Sequence, residues 1–136
     1  MVHGRSVRQI LRFFNRIYDL EDYFYIHVDA RSQYLFDQLK HLENEQNVIV
    51  TDNRFSPIWG GASLLYMMLN SMKEMLNAGW KFDFFINLSG TDYVMKHPKE
   101  MKHYLSDKIG MNFVYADHKD VLQSRMNSKY FKKYFD

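Results

Sequence analysis

Amphipathic stretches with a 3.6-residue period alternate with short, nearly continuous apolar runs along this 136-residue sequence. That alternation restricts the fold more than any other feature. A stripe on a helix has to be buried against something, and an apolar run of four to eight residues reads as a strand buried on both faces. Residues 6–18 carry the first helical pattern: Val7, Ile10, Leu11, Phe14, Ile17 and Tyr18 share one face, with Ser6 as N-cap. Only five residues precede Ser6, too few for a full strand. Residues 23–29, aromatic and β-branched, predict a buried central strand that ends on a carboxylate, Asp29. Residues 32–44 predict a helix capped by Ser32, and residues 47–51 a short strand.

Pro57 and Gly60-Gly61 punctuate a loop over 52–61. A long helix over 62–77 follows, with Leu65, Met68, Leu69, Met72, Met75 and Leu76 as its apolar stripe and Gly79 as its stop. Residues 81–89 predict another buried strand leading into the turn 90–93. Residues 98–106 predict a helix opened by Pro98, residues 111–115 a strand, and the tail from Lys119 a polar helix. Strands alternating with helices imply a mainly parallel α/β sheet with helices on both faces. The first helix lacks a strand before it and the last strand has little after it. The sheet is therefore expected to be cut at both ends.

Composition narrows the function classes. Hydrophobic residues make up 46% and aromatic ones 17%, enough for a packed core and too many for a disordered chain. A formal charge of +2 gives no electrostatic case for nucleic acid or a membrane surface. The absence of cysteine removes disulfides, thiolate chemistry and cysteine-bound zinc. No apolar run reaches the roughly 18 residues of a membrane span, and the N-terminal residues lack the apolar core of a signal peptide.

In an open α/β sheet, ligands lie beyond the carboxyl ends of the strands. Four segments qualify: the residues before Arg5, then 29–31, 56–61 and 90–93. Asp29 reads either as an acceptor for a ribose or base N–H or as a cap of the next helix. His27, two residues earlier on the same strand face, reads as a core histidine, because no third and fourth metal ligand accompanies it. Pro57-Ile58-Trp59-Gly60-Gly61 offers an aromatic face and a close backbone approach, or a tryptophan plugging the core under a tight turn. Asp92 follows a buried run and reads as a ligand contact or an Asx-turn. No Asp-x-Asp, Gly-x-Gly-x-x-Gly or Walker-type loop is present. Asn87-Leu88-Ser89 matches the N-glycosylation pattern, but its position in an expected buried strand predicts no glycan.

The segments His3-Gly-Arg5, Ile26-His-Val-Asp-Ala-Arg-Ser32, Ile58-Trp-Gly-Gly-Ala-Ser-Leu-Leu65 and Asp83-Phe-Phe-Ile-Asn-Leu-Ser89 with Asp92-Tyr93 resemble the peptide O-xylosyltransferases. These are relatives of the core-2/I-branching N-acetylglucosaminyltransferases. The resemblance spans residue 2 to about residue 113, and the Trp59-Gly60-Gly61 block leans towards the xylosyl branch. It implies a GT-A fold and inverting transfer of xylose from UDP-xylose to a serine of a proteoglycan core protein. The compartment implied is the Golgi or endoplasmic reticulum lumen, with the membrane anchor outside this sequence. By the same resemblance Val2, Asp29, Pro57, Ile58 and Trp59 line the UDP-sugar pocket. No metal cofactor is implied, since the family neutralises the departing diphosphate with basic side chains.

Two departures stand out: Val94 occupies a position where the family carries proline, and residues 115–118 read Tyr-Ala-Asp-His where the family has a serine-histidine-glycine-like turn. The family's general base and its diphosphate-binding residues lie beyond Asp136. The expectation is therefore a donor-binding portion without turnover of its own. The rival readings are a branching N-acetylglucosaminyltransferase and a non-catalytic α/β interaction module.

Overall fold

A computed structural model describes residues 2, 4–58, 61–113 and 118–126. The elements run α1 (Val7–Ile17), β1 (Phe24–Ile26), α2 (Gln33–Leu39), a 3₁₀ turn (Lys40–Asn44), β2 (Val48–Val50), α3 (Ala62–Asn77), α4 (Pro98–Ser106) and α5 (Lys119–Met126). β1 and β2 pair in parallel, with Phe24 opposite Val48 and Ile26 opposite Val50. α2 and the 3₁₀ turn form the crossover between them, as parallel strands require. Val2 adds a single parallel bridge to Val28 on the other side of β1. The structure is thus mixed α/β with a parallel sheet.

Side-chain alternation sorts the two faces. Phe24, Ile26, Val28, Val48 and Val50 meet Ile10 and Phe14 of α1 and Leu35, Phe36 and Leu39 of α2 in one apolar cluster. Tyr25, His27 and Asp29 point the other way, with Ile49 and Thr51 of β2 and its end. That face belongs to α3: Tyr25 and Thr51 both donate hydrogen bonds to Glu74 Oε2, at 2.5 and 3.0 Å. Helices therefore cover both faces.

Local chemistry explains the ends of the elements. The Ser6 hydroxyl accepts from Gln9 N–H and caps α1. α4 starts with Pro98 and a capping box in which the His97 ring accepts from Lys99 N–H and Glu100 accepts from His97 N–H. Gly79 takes a positive φ of 77° just past α3, where a side chain is strained. β2 ends at a closed edge. The Val50 N–H donates to Glu43 and the Val50 carbonyl accepts from Lys40 Nζ, both at 2.9 Å. Two side chains thus occupy the groups that would pair with a further strand there.

Several expectations are corrected. Residues 81–89 form no ladder; among the described residues the sheet has two strands. An apolar run becomes a strand only when a neighbour takes its backbone groups, and this run packs by side chains instead, half-burying Phe84 and Phe85 and leaving Ile86 53% exposed. Residues 111–113 are likewise not a strand, and 114–117 lie outside the described residues. Asn87 is exposed, so the buried-strand argument against glycosylation does not hold.

Ser32 precedes α2 without a side-chain cap, and the helix tightens to 3₁₀ after Leu39. α3 has the expected bounds but a different rotation. Met67, Ser71 and Met75 are its buried residues, while Leu65, Leu69 and Leu76 are about half exposed or more. The carboxylate of Glu74 fixes that rotation, since four polar side chains from the sheet, the loop and α3 close on it.

Candidate functional site at the carboxyl end of the first strand

The site begins with the exit of β1. Val2 N–H donates to the His27 carbonyl at 2.8 Å, and Asp29 N–H donates to the Val2 carbonyl at 3.0 Å. The chain then turns: Ser32 N–H donates to the Asp29 carbonyl at 2.8 Å. Inside this turn the Asp29 carboxylate is almost fully buried, at 2% exposure. A buried charge needs a partner and hydrogen bonds, and Arg31 supplies both. Arg31 Nε donates to Oδ1 at 2.9 Å, Arg31 Nη2 to Oδ2 at 2.6 Å, and the Arg31 backbone N–H to Oδ1 at 2.9 Å. Ser56 Oγ adds a longer contact to Oδ1 at 3.4 Å. The Arg31 hydrogen bond is the main reason the Asp29 carboxyl is held down at about 2, against the burial that would raise it.

The loop after β2 is stitched onto this turn. Ala30 N–H donates to the Phe55 carbonyl at 3.1 Å. Phe55 N–H donates to His27 Nε2 at 2.9 Å, and the two rings stack at 5.9 Å. Arg31 Nη2 reaches the Pro57 carbonyl at 3.5 Å. His27 is 4% exposed, and burial pushes its pKa below the ordinary value, which suits the neutral ring that an accepting Nε2 requires. Its Nδ1 is buried without a hydrogen-bond partner. His27 is therefore a core residue that organises the loop, as the sequence suggests.

Beyond Pro57 the chain enters α3. Ile58 N–H donates to Ser63 Oγ at 2.9 Å, and Gly61 N–H donates to the Ile58 carbonyl at 3.0 Å. A Cβ on Gly61 would meet that same carbonyl at 3.3 Å, so the turn favours glycine there.

Three of the residues singled out in the sequence, Val2, Asp29 and Pro57, thus meet at one place. Ile58 stands beside them, 67% exposed. Trp59 lies outside the described residues, as do His3 and Gly60. The turn 90–93 is not part of this cluster. It packs on α1, where Gln9, Arg12 and Phe13 line a groove of about 330 Å³ with it, and Phe13 and Tyr93 sit 6.1 Å apart. Asp92 closes its own turn, accepting from Ser89 N–H at 2.6 Å. That bond runs three residues back along the chain, so it is not the expected Asx-turn, in which the carboxylate accepts from two residues on. Asp29 accepts from the N–H two residues on, in the turn before α2, and does not cap α2 itself.

Sequence reasoning missed Arg31. The signal for it was the Asp29-Ala30-Arg31 spacing, which brings a guanidinium back onto a carboxylate across a tight turn.

The family model for the core-2/I-branching enzymes matches residues 1–136. This chain belongs to that family. It is 46% identical to xylosyltransferase 2 of Rattus norvegicus over 135 residues, covering 98% of this chain and 15% of the rat protein. Identity to the Homo sapiens xylosyltransferase 2 is 44% with the same coverage. Identity to xylosyltransferase oxt of Drosophila melanogaster is 43% over 114 residues, covering 83% of this chain and 13% of that protein. The chain thus spans about 15% of the length of the curated mammalian relatives it matches. Among the described residues no helix is long and apolar enough to cross a membrane.

Proposed function

We propose that this chain is the nucleotide-sugar-binding portion of a glycosyltransferase with a GT-A fold that moves xylose, with inversion, from UDP-xylose to a serine of a core protein. The observation that carries the reading is the meeting of Val2, Asp29 and Pro57 at the carboxyl end of β1, in a chain 43–46% identical to xylosyltransferases. In this reading Asp29 accepts a hydrogen bond from the uridine moiety. The backbone at Val2 and the turn at Pro57, Ile58 and Trp59 form the walls. Burial makes Asp29 effective in this role, because a desolvated ionised acceptor binds an N–H more tightly than a solvated one does.

Inverting transfer also needs a base to take the serine proton and cations to stabilise the charge developing on the departing diphosphate. The resemblance assigns neither role to a residue of this chain. The chain by itself therefore binds donor and does not turn it over. The Golgi or endoplasmic reticulum lumen is the compartment that goes with the reading.

Thermal unfolding of the chain with UDP-xylose and with UDP-N-acetylglucosamine tests it. A ligand at a hundred times its Kd stabilises by about 2.7 kcal/mol. UDP-xylose is expected to raise Tm by several degrees and Asp29→Ala to abolish the shift. Larger stabilisation by UDP-N-acetylglucosamine would replace xylose by the branching sugar as the donor. No shift with either nucleotide would favour a non-catalytic interaction module, and turnover of a serine-glycine peptide by this chain alone would refute the assignment to donor binding only.

A further inference from the structure

The loop over residues 52–57 leaves β2 and crosses to the exit of β1, where both backbone groups of Phe55 are taken. Its N–H donates to His27 Nε2 at 2.9 Å, and its carbonyl accepts from Ala30 N–H at 3.1 Å. The contacts further along the loop are longer. Ser56 Oγ reaches Asp29 at 3.4 Å and Arg31 Nη2 reaches the Pro57 carbonyl at 3.5 Å, the outer limit of a hydrogen bond. The placement of the Pro57 turn therefore leans on Phe55, and Phe55 leans on a histidine nitrogen acting as an acceptor. An imidazole nitrogen accepts only while it carries no proton. A proton on Nε2 would set donor against donor at the Phe55 N–H, with the ring 4% exposed and stacked on the Phe55 ring.

We infer that His27 is the positioning residue of the Pro57 turn: it fastens the loop to β1 while its ring is neutral and lets the loop go when the ring takes up a proton. On the donor reading, acid thereby loosens one wall of the nucleotide-sugar pocket; the fastening itself does not depend on that reading.

The surrounding charges leave the pH window to His27. Burial is the main cause that holds its pKa below the ordinary 6.5; the amino-terminal charge and Arg54 act in the same direction, and Asp29 acts against them. Asp29, bound by Arg31, is held at about 2. Glu74, bonded to Tyr25 and Thr51 on the same face of the sheet, lies below its ordinary 4.5, and the Tyr25 hydroxyl is pushed upward. Asp29, Glu74 and Tyr25 thus keep their charge states from pH 5 to 7. The ring binds a proton more weakly with the loop fastened than with the loop open, where it returns to the ordinary value. Fastening is therefore fully present above pH 6.5 and weakens as pH falls below it, by at most about tenfold per pH unit.

Amide hydrogen exchange at the Phe55 N–H tests this, read by NMR on the isotope-labelled full chain from pH 5 to 7 and divided by the intrinsic rate at each pH. His27→Gln places an acceptor oxygen as many bonds from Cα as Nε2 is, and that oxygen does not titrate. His27→Leu offers no acceptor. In the unsubstituted chain Phe55 is expected to exchange faster than global unfolding allows, and to lose protection about tenfold or more between pH 6.5 and 5. H27Q keeps most of the protection and loses the pH slope; H27L is poorly protected at every pH.

A flat profile in the unsubstituted chain would overturn the inference, as would the full slope retained in H27Q. A merely structural histidine would leave Phe55 exchanging no faster than global unfolding, measured by urea at the same pH, and that result too would overturn it. Should H27L fail to fold, the slope of H27Q decides. UDP-xylose at a hundred times its Kd is expected to slow exchange at Phe55 by up to about a hundredfold. No effect of the nucleotide sugar would overturn the donor reading, whereas the slope in acid decides the role of His27 by itself.

Discussion

Glu74 is the residue on which the placement of α3 turns, and its removal has a magnitude that follows from its partners. Oε2 accepts from Tyr25 Oη at 2.5 Å and Thr51 Oγ1 at 3.0 Å; Oε1 accepts from Asn53 Nδ2 at 2.6 Å and Asn70 Nδ2 at 3.0 Å. The Asn53 and Asn70 amides are reached by water and lose little when the carboxylate is deleted. Thr51 is 5% exposed and the Tyr25 hydroxyl is part-buried, so these two donors bear the loss. Hydrogen bonds to charged groups contribute roughly 1.5–3 kcal/mol each. Two such bonds, discounted for partial solvation, put Glu74→Ala at about 2–4 kcal/mol. Glu74→Gln keeps one acceptor oxygen for the buried pair and turns its amide to the exposed side, so it costs about 1–2 kcal/mol.

The pH dependence has a definite sign. Burial raises the Glu74 carboxyl, but the four hydrogen bonds outweigh it and the folded pKa lies below the ordinary 4.5. Its contribution is therefore fully present above pH 4.5 and is lost as pH falls through the folded value. Urea denaturation at pH 7 and at pH 4, comparing midpoints at constant m-value, measures both effects. E74A within about 0.5 kcal/mol of the parent at pH 7, or a gap that widens in acid, would refute the reasoning.

Two further predictions concern packing and charge. Leu39, with no exposed surface, sits in the cluster between α1, α2 and the sheet, so Leu39→Ala is expected to lower stability by about 2–5 kcal/mol in the same urea assay. Lys102 Nζ on α4 lies 3.1–3.3 Å from the carboxylates of Asp19, Glu21 and Asp22 before β1, so Lys102→Met leaves three acids facing one another. A cost of about 1 kcal/mol at low salt is expected, shrinking in about 0.5 M NaCl as screening removes both the attraction and the repulsion.

The sequence was most readable where local chemistry decides. Ser6, Pro98 and Gly79 mark helix ends through capping, a fixed φ and a positive φ, and all three do so in the structure. Asp29 was legible as the end of a buried run. The unreadable parts depend on partners distant in sequence. Residues 81–89 carry strand-like side chains, but ladder formation is decided by a neighbour and not by composition. The expected stripe of α3 runs through Leu65, Met68, Leu69, Met72, Met75 and Leu76, but of these only Met75 is buried, because the helix turns to bring Glu74 to Tyr25, forty-nine residues away. Asn87 moved from buried to exposed for the same reason as its segment. Arg31 escaped notice because a charged residue in a turn ordinarily faces solvent, and only the depth of Asp29 gives its guanidinium something to hold.

Asp29 is held in the free protein by residues 2, 31, 32 and 56, through its backbone and its carboxylate together. A side chain already immobilised has no rotamer freedom to surrender when a ligand arrives, where an unconstrained one gives up about 0.5–1.5 kcal/mol. Association at this point should therefore be fast and favoured in enthalpy with only a small ordering entropy, and the slow step of any complex that forms here is expected to be its dissociation.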